Sequence, residues 1–154
     1  MGSSSFSILV VCTANICRSP AGQALLASQL ANHAIRVESA GTHALDGNAI
    51  DTRMAHMLQR RGVDAMIAHR SRPIMPTMLT RYDLVLCMEE QHMRRVLTLY
   101  PSGRGKVRLL GHWSTQEIAD PIGQSEPVYA AALDQLESCT AQWAKKLIDM
   151  RMTK

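Results

Sequence analysis

The sequence predicts a doubly wound α/β sheet in a single domain, on three observations. Short apolar runs alternate with amphipathic helical patterns along the whole chain. The first run leads through a loop into Ser19-Pro20, the mark of a strand-to-helix junction. At 154 residues the chain is long enough for one real core.

The elements follow in order. Phe6 to Val11 is apolar and rich in β-branched residues, as a strand buried on both faces should be. Cys12 to Ser19 is its exit loop, with Ser19 as N-cap and Pro20 as first position of a helix. That helix, about 20–33, carries Ala21, Ala24, Leu25 and Ser28 on a small-residue side suited to close packing on a sheet. Ile35 to Glu38 is the second strand, and strand–helix–strand of this length argues for a right-handed parallel crossover. Residues 39–48 form a loop beside the first one, where His43 and Leu45 are candidates for a cleft wall. Asp51 is the N-cap of a second helix, striped by Met54, Met57 and Leu58 and ended by Gly62; these methionines are core fillers. Residues 63–76 are irregular, with Pro73 and Pro76 as breakers. Asp83 to Met88 is a central strand. Glu89 to Tyr100 is a helix with Met93, Val96 and Leu97 on its inner side, stopped by Pro101. Lys106 to Leu110 is the fourth strand. A long loop, 111–126, carries Asp120-Pro121. Pro127 opens the last helix, whose stripe of Leu133, Leu136, Thr140, Trp143 and Leu147 reaches about Met150.

The chemistry concentrates in Cys12-Thr13-Ala14-Asn15-Ile16-Cys17-Arg18-Ser19. Such a loop, between a strand's C-terminal end and a helix N-terminus, collects unpaired N–H groups under a favourable dipole and is a natural anion site. The same groups favour a thiolate; thiols at helix N-termini near cations titrate at roughly 3.5–7.5, against ~8.5 for free cysteine. Arg18 is far enough along to fold back over the bowl, and its planar fork can hold two phosphoryl oxygens. Ser19 can donate its hydroxyl to the Cys12 sulfur. Asn15 tolerates the left-handed backbone that a tight nest needs. A lone cysteine after a strand is usually packing, and a lone Asp-Pro is usually a turn. Their combination with Arg18 and Ser-Pro is what points to catalysis.

Cys-x5-Arg-Ser near the start and Asp120-Pro121 late in the chain resemble the low-molecular-weight protein tyrosine phosphatase family. So do Ser39-Ala40-Gly41-Thr42, His69-Arg70-Ser71-Arg72 and Asp83-Leu84-Val85-Leu86-Cys87-Met88, in the family's order. The likeness covers about residues 6–150, and the short loop between Gly41 and Gly47 resembles bacterial members associated with capsule and exopolysaccharide export. The resemblance implies a four-stranded parallel sheet in the order 2-1-3-4 with helices on both faces. It implies hydrolysis of phosphotyrosine through a phosphocysteine, without cofactor or metal. Cys12 would be the nucleophile, with the amides of Thr13, Ala14, Asn15, Ile16, Cys17 and Arg18 binding phosphate and Asp120 as general acid. Ser19, His69 and Arg72 would support the loop, His43, Leu45 and Ile122 would line the cleft, and Cys17 would pair with Cys12 under mild peroxide. The implied partner is a tyrosine-phosphorylated protein, such as a bacterial tyrosine autokinase of polysaccharide export. Two departures stand out: Ala14 where the family has glycine, and Ile122 where it has tyrosine.

Composition narrows the field. No run of about 18 apolar residues is present, and residues 1–5 read as a flexible lead ahead of a domain at 6–154. The four cysteines lack zinc spacing, and a cytoplasmic monomer in a reducing compartment is the expectation. A net charge of +4 suits an anionic substrate, while scarce aromatics argue against nucleic acid. Three rivals share parts of the pattern. An arsenate reductase of the same fold needs further relay cysteines, and position 94, seven residues after Cys87, is Arg94. A phosphocarrier subunit would lack the arginine and the Asp-Pro. A non-catalytic phosphoprotein-binding module would not need all three residues.

Overall fold

The computed structural model describes residues 6–152; the expected lead at 1–5 and the last two positions lie outside the described residues. Four parallel strands, β1 (Phe6–Cys12), β2 (Ile35–Gly41), β3 (Leu84–Cys87) and β4 (Val107–Leu109), form one sheet in the order β2-β1-β3-β4. The helices are α1 (Arg18–Gln29), α2 (Thr52–Arg60), α3 (Pro76–Leu79), α4 (Glu90–Leu99) and α5 (Glu126–Met152), with 3₁₀ turns at Pro101–Gly105 and His112–Ser114. Among the described residues no helix is long and apolar enough to cross a membrane.

The alternation of strand side chains builds a core on each face. Ile8 and Val10 of β1 pack with Ala21, Leu25, Leu58, Leu133 and Leu136, so α1, α2 and α5 cover one side. Leu9 and Val11 pack with Met78, Leu79, Val85 and Val96, so α3 and α4 cover the other. Each strand of the central pair is therefore buried on both faces, which is why the runs at 8–11 and 84–87 are apolar without a break. The α5 stripe is buried as the periodicity predicts: Leu133, Leu136, Thr140, Trp143 and Leu147 all face inward. Cys87 and Cys139 are packed in these cores.

Several boundaries move. α1 begins at Arg18 with Cys17 in the N-cap position, so Ser19 is not the cap but lies inside the first turn; its hydroxyl is committed to Cys12 and Asn15. α1 ends at Gln29, earlier than expected, and Ser28 faces solvent. β2 runs on through Ser39-Ala40-Gly41 because its ladder with β1 continues to Cys12↔Gly41. The short helix α3, opened by Pro76, was not foreseen. Asp51 does cap α2, accepting from the Met54 amide at 3.0 Å, and Gly62 follows the helix end at φ 76°.

The chain crosses from β1 to β2 on one side and to β3 on the other, so the crevice at the C-terminal end of β1 is the switch point. Gly41 closes one side of it. A Cβ there would collide with the Thr13 carbonyl oxygen and stand 2.8 Å from the Ala44 Cβ. Gly41→Ala should therefore lower stability by about 1–3 kcal/mol, as overpacking does, and should also weaken orthophosphate binding, because the displaced atom belongs to the anion loop; urea unfolding and phosphate inhibition measure the two effects.

Candidate active site

The loop after β1 is held from outside by its carbonyls. The Cys12 and Thr13 carbonyls accept from the amides of Thr42 and His43, each at 2.9 Å; Ile16 accepts from Asp51 N–H at 2.6 Å and Cys17 from Ala21 N–H at 3.2 Å. The Asn15 carbonyl accepts from His69 Nε2 at 2.7 Å. In a trans peptide the next residue's N–H points opposite the carbonyl, and no cis peptide occurs among the described residues. Carbonyls drawn outward thus turn the amides of residues 13, 14, 16, 17 and 18 into a common bowl. Among the described residues no protein acceptor takes the amides of residues 14–18. The loop closes through one left-handed residue, Asn15, at φ 59°; Ala14 is not among the positive-φ residues, so alanine there introduces no strain.

Asn15 is fully buried, and its amide fixes the direction of a hydrogen-bond chain. It donates to Ser19 Oγ at 2.7 Å and Ser39 Oγ at 3.0 Å, and its Oδ1 accepts from the Arg72 amide at 3.0 Å. Ser39 passes its own proton to Gln23 Oε1 at 2.6 Å. Ser19 Oγ already accepts from Asn15, so its proton is available to Cys12 Sγ, 3.0 Å away. The chain ends with a donor aimed at the sulfur.

Arg18 is buried at 3% exposure and is oriented by a similar inventory. Its Nη1 donates to the Ile118 carbonyl at 2.8 Å and faces Glu89 Oε1 at 3.3 Å. Its Nη2 reaches Thr13 Oγ1 at 3.4 Å. Of five guanidinium N–H groups, the two left over are Nε–H and the second Nη2–H, the side-on edge that grips two oxygens of one anion. Burial works to raise the Glu89 carboxyl, but hydrogen bonds from Gln91 and Arg18 and the Arg18 charge hold it below the usual range.

One small pocket is lined by Cys12, Ala14, Ile16, Cys17, Arg18, Asp120 and Ile122. Residues from both ends of the chain thus meet there. Asp120 is exposed at its rim and its Oδ1 accepts from the Ile122 amide at 3.1 Å, an Asx-turn that orients the carboxylate. Cys17 is buried at the pocket floor; burial first, then the charges of Asp51, Asp120 and Cys12, push its thiol up. His43 and Leu45 are not among these lining residues. They stand exposed on the β2–α2 connection, which touches the loop through the His43 amide. A larger open groove along α2, lined by Arg53, His56, Arg60 and Glu126 among others, contains no cysteine.

Sequence reasoning missed Glu89 and His92. His92 is buried, with Nε2 2.8 Å from Thr13 Oγ1 and Nδ1 accepting the Glu89 amide at 3.1 Å. The pair forms a capping box at the start of α4, which read on the sequence as an ordinary helix start. Burial, then the Arg18 charge, lower His92 to about 4 against the pull of Glu89 and Glu117. Burial also lowers His69, against its bond to Asn15.

Comparison with known proteins places these features. The low molecular weight phosphotyrosine protein phosphatase model matches residues 7–152. The low molecular weight protein-tyrosine-phosphatase Wzb of Escherichia coli (strain K12) is 41% identical over 147 residues, 92% of this chain and 95% of that protein. The crystal structure of the Erwinia amylovora tyrosine phosphatase AmsI superposes with a TM-score of 0.86 at 37% identity, covering 94% of this chain and 95% of that one. A cysteine-to-serine mutant of the arginine phosphatase YwlE, with a phosphorylated active-site serine, superposes with a TM-score of 0.88 at 29% identity, covering 97% of this chain and 100% of that one.

The buried His92 and the half-buried His69 both protonate less readily in the fold than in the unfolded chain. Between His92's folded value of about 4 and its ordinary 6.5 the unfolded chain binds more protons, so stability should rise with pH across that window and level off above it. Urea midpoints should show this climb, with a smaller slope in His92→Gln.

Proposed function

Since this chain belongs to the low molecular weight phosphotyrosine protein phosphatase family, we propose that it hydrolyses protein phosphotyrosine through a phosphocysteine on Cys12. The observation that carries this reading is the meeting of Cys12, Arg18 and Asp120 in one pocket. The Cys12 thiolate, steadied by the Ser19 hydroxyl, attacks phosphorus in line. The S–P bond forms, the P–O bond to tyrosine breaks, and Asp120 gives its proton to the leaving phenolate. The inward amides and the free edge of Arg18 hold the three equatorial oxygens, where phosphoryl transfer concentrates its charge. Water then attacks phosphorus, Asp120 takes its proton, and the S–P bond breaks to return the thiolate and release phosphate. The phosphorylated serine in the YwlE mutant supports a covalent step at this position.

The arsenate reductase reading loses ground because Cys87 is sealed in the sheet at 0% exposure, where it cannot relay a disulfide. The substrate we propose is a tyrosine-phosphorylated kinase of polysaccharide export; the likeness to Wzb and AmsI supports it. Ile122 at the pocket rim offers an aliphatic wall to the ring in place of an aromatic one. Cys17 lines the same pocket as Cys12, which supports a protective role: sulfenic acid on Cys12 condenses with the Cys17 thiol to a disulfide and water.

Asp120→Asn should slow phenyl phosphate hydrolysis by about 10²–10⁴-fold while orthophosphate still inhibits, and rapid quench at low pH should trap phosphate on sulfur in the wild type. A phosphotyrosine peptide should be turned over and a phosphoarginine peptide spared; the reverse preference would move the assignment to the other activity. After mild peroxide, peptide mass spectrometry should find Cys12 joined to Cys17, and finding only sulfinic acid on Cys12 would remove the protective role.

A further inference from the structure

His92 is buried against the anion loop, and both of its ring nitrogens are spent on protein partners, Thr13 Oγ1 and the Glu89 amide, so neither is left for a bound substrate. Its hydrogen bonds nevertheless run straight to the phosphate-binding arginine. The Glu89 amide donates to Nδ1 at 3.1 Å, so Nδ1 carries no proton and the imidazole is the Nε2–H tautomer. Nε2–H lies 2.8 Å from Thr13 Oγ1, with Glu89 Oε1 more distant at 3.7 Å. Thr13 is thereby fixed as an acceptor, and its hydroxyl oxygen also faces Arg18 Nη2 at 3.4 Å.

We propose that His92 is a positioning residue for Arg18: by donating to Thr13 it fixes the hydroxyl that, with Glu89 and the Ile118 carbonyl, decides which edge of the guanidinium meets the phosphoryl group. This rests on the reading of the loop as a phosphoryl site. The two ring nitrogens have separate tasks. Nδ1 completes the cap of α4, a structural task; Nε2 orients Thr13, the task that reaches the site. Charged and titratable groups press on the ring from every neighbouring element: Arg18 from α1, Glu89 and Glu117 from the loops after β3 and β4, and His43 from the β2–α2 connection. Protonation would set a second N–H against the Glu89 amide and break the cap, so the ring works in its neutral form.

Amide side chains separate the two tasks, because asparagine places its polar atoms near Nδ1 and glutamine near Nε2. In the full-length protein, His92→Asn should keep the acceptor for the Glu89 amide, and with it a melting temperature near that of the wild type. It should raise the inhibition constant for orthophosphate about tenfold, the scale of one lost hydrogen bond to a charged group. His92→Gln should recover most of that affinity and of kcat/KM on phenyl phosphate. Thr13→Val should lose as much as His92→Asn, and the double variant no more than either alone. Equal losses in Asn and Gln that follow the melting temperature would overturn the proposal. So would a folded Thr13→Val variant with unchanged orthophosphate affinity, a test that stands even where His92→Asn fails to fold. A wild type that neither hydrolyses phenyl phosphate nor binds orthophosphate would instead overturn the function proposed for the loop; an active wild type with unmoved variants would overturn the role of His92 alone.

Discussion

Everything at the site depends on carbonyl oxygens being pulled out of the loop. Five donors come from four separate places: Thr42 and His43 just after β2, Asp51 before α2, Ala21 in the first turn of α1, and His69. Each fixes one peptide plane and turns the following N–H inward. No positive side chain needs to be added to make the bowl attract an anion, because its polarity is that of the backbone. Because these bonds hold the peptide planes, the amides need little reorganisation when charge develops there. It also explains why β2 must extend to Gly41. The strand brings the Thr42 and His43 amides alongside β1, and a side chain at 41 would collide with the Thr13 carbonyl and turn that peptide out of place.

Direction is the second constraint. A hydroxyl can accept or donate, and which it does at Ser19 is settled elsewhere. The Asn15 amide has two N–H groups and gives one to each of two serines, so both serines must send their own protons onward. One goes to Gln23 and the other to Cys12. Arg18 is governed likewise. A guanidinium taken out of water is costly unless its N–H groups are matched, and Glu89, Ile118 and Thr13 match three of the five, leaving the edge with the right spacing for an oxyanion. Burial here serves orientation. A solvent-exposed arginine would offer the same charge with no preferred edge.

The two central strands were legible because their environment is written in their own residues: buried on both faces, the runs at 8–11 and 84–87 carry no polar alternation, whereas the edge strand β2 alternates through Ile35-Arg36-Val37-Glu38. That Cys12, Arg18 and Asp120 would share one cleft was legible as well, since each is chemically unusual for its local setting and they recur in a known order. The pocket holds all three together with Ile122. Errors came where a residue had two uses. Ser19 before Pro20 has the pattern of an N-cap, yet its hydroxyl serves the sulfur, and Cys17 takes the cap position without a side-chain bond. The end of β2 is small and polar, and only the partner strand extends it. Glu89 and His92 were illegible for a different reason. Their contacts with Arg18 and Thr13 span 71 and 79 positions, and nothing local distinguishes them from a surface helix start.

The replacement at position 14 shows how far the backbone rather than the residue type sets this site. A loop of this shape needs one left-handed turn, and glycine is the common way to supply it. Here Asn15 alone occupies that region within the loop, and asparagine is among the residues that tolerate it best. Its side chain then converts the conformational expense into structure, holding Ser19, Ser39 and the Arg72 amide at once. Position 14 is thereby released from any need for glycine. Its amide is still turned inward by the Thr13 carbonyl, which is held by His43 N–H, and the alanine methyl sits on the pocket wall. A side chain that carries no charge and forms no hydrogen bond can occupy the middle of an anion loop because the binding groups are amides, and an amide is present whichever residue stands there.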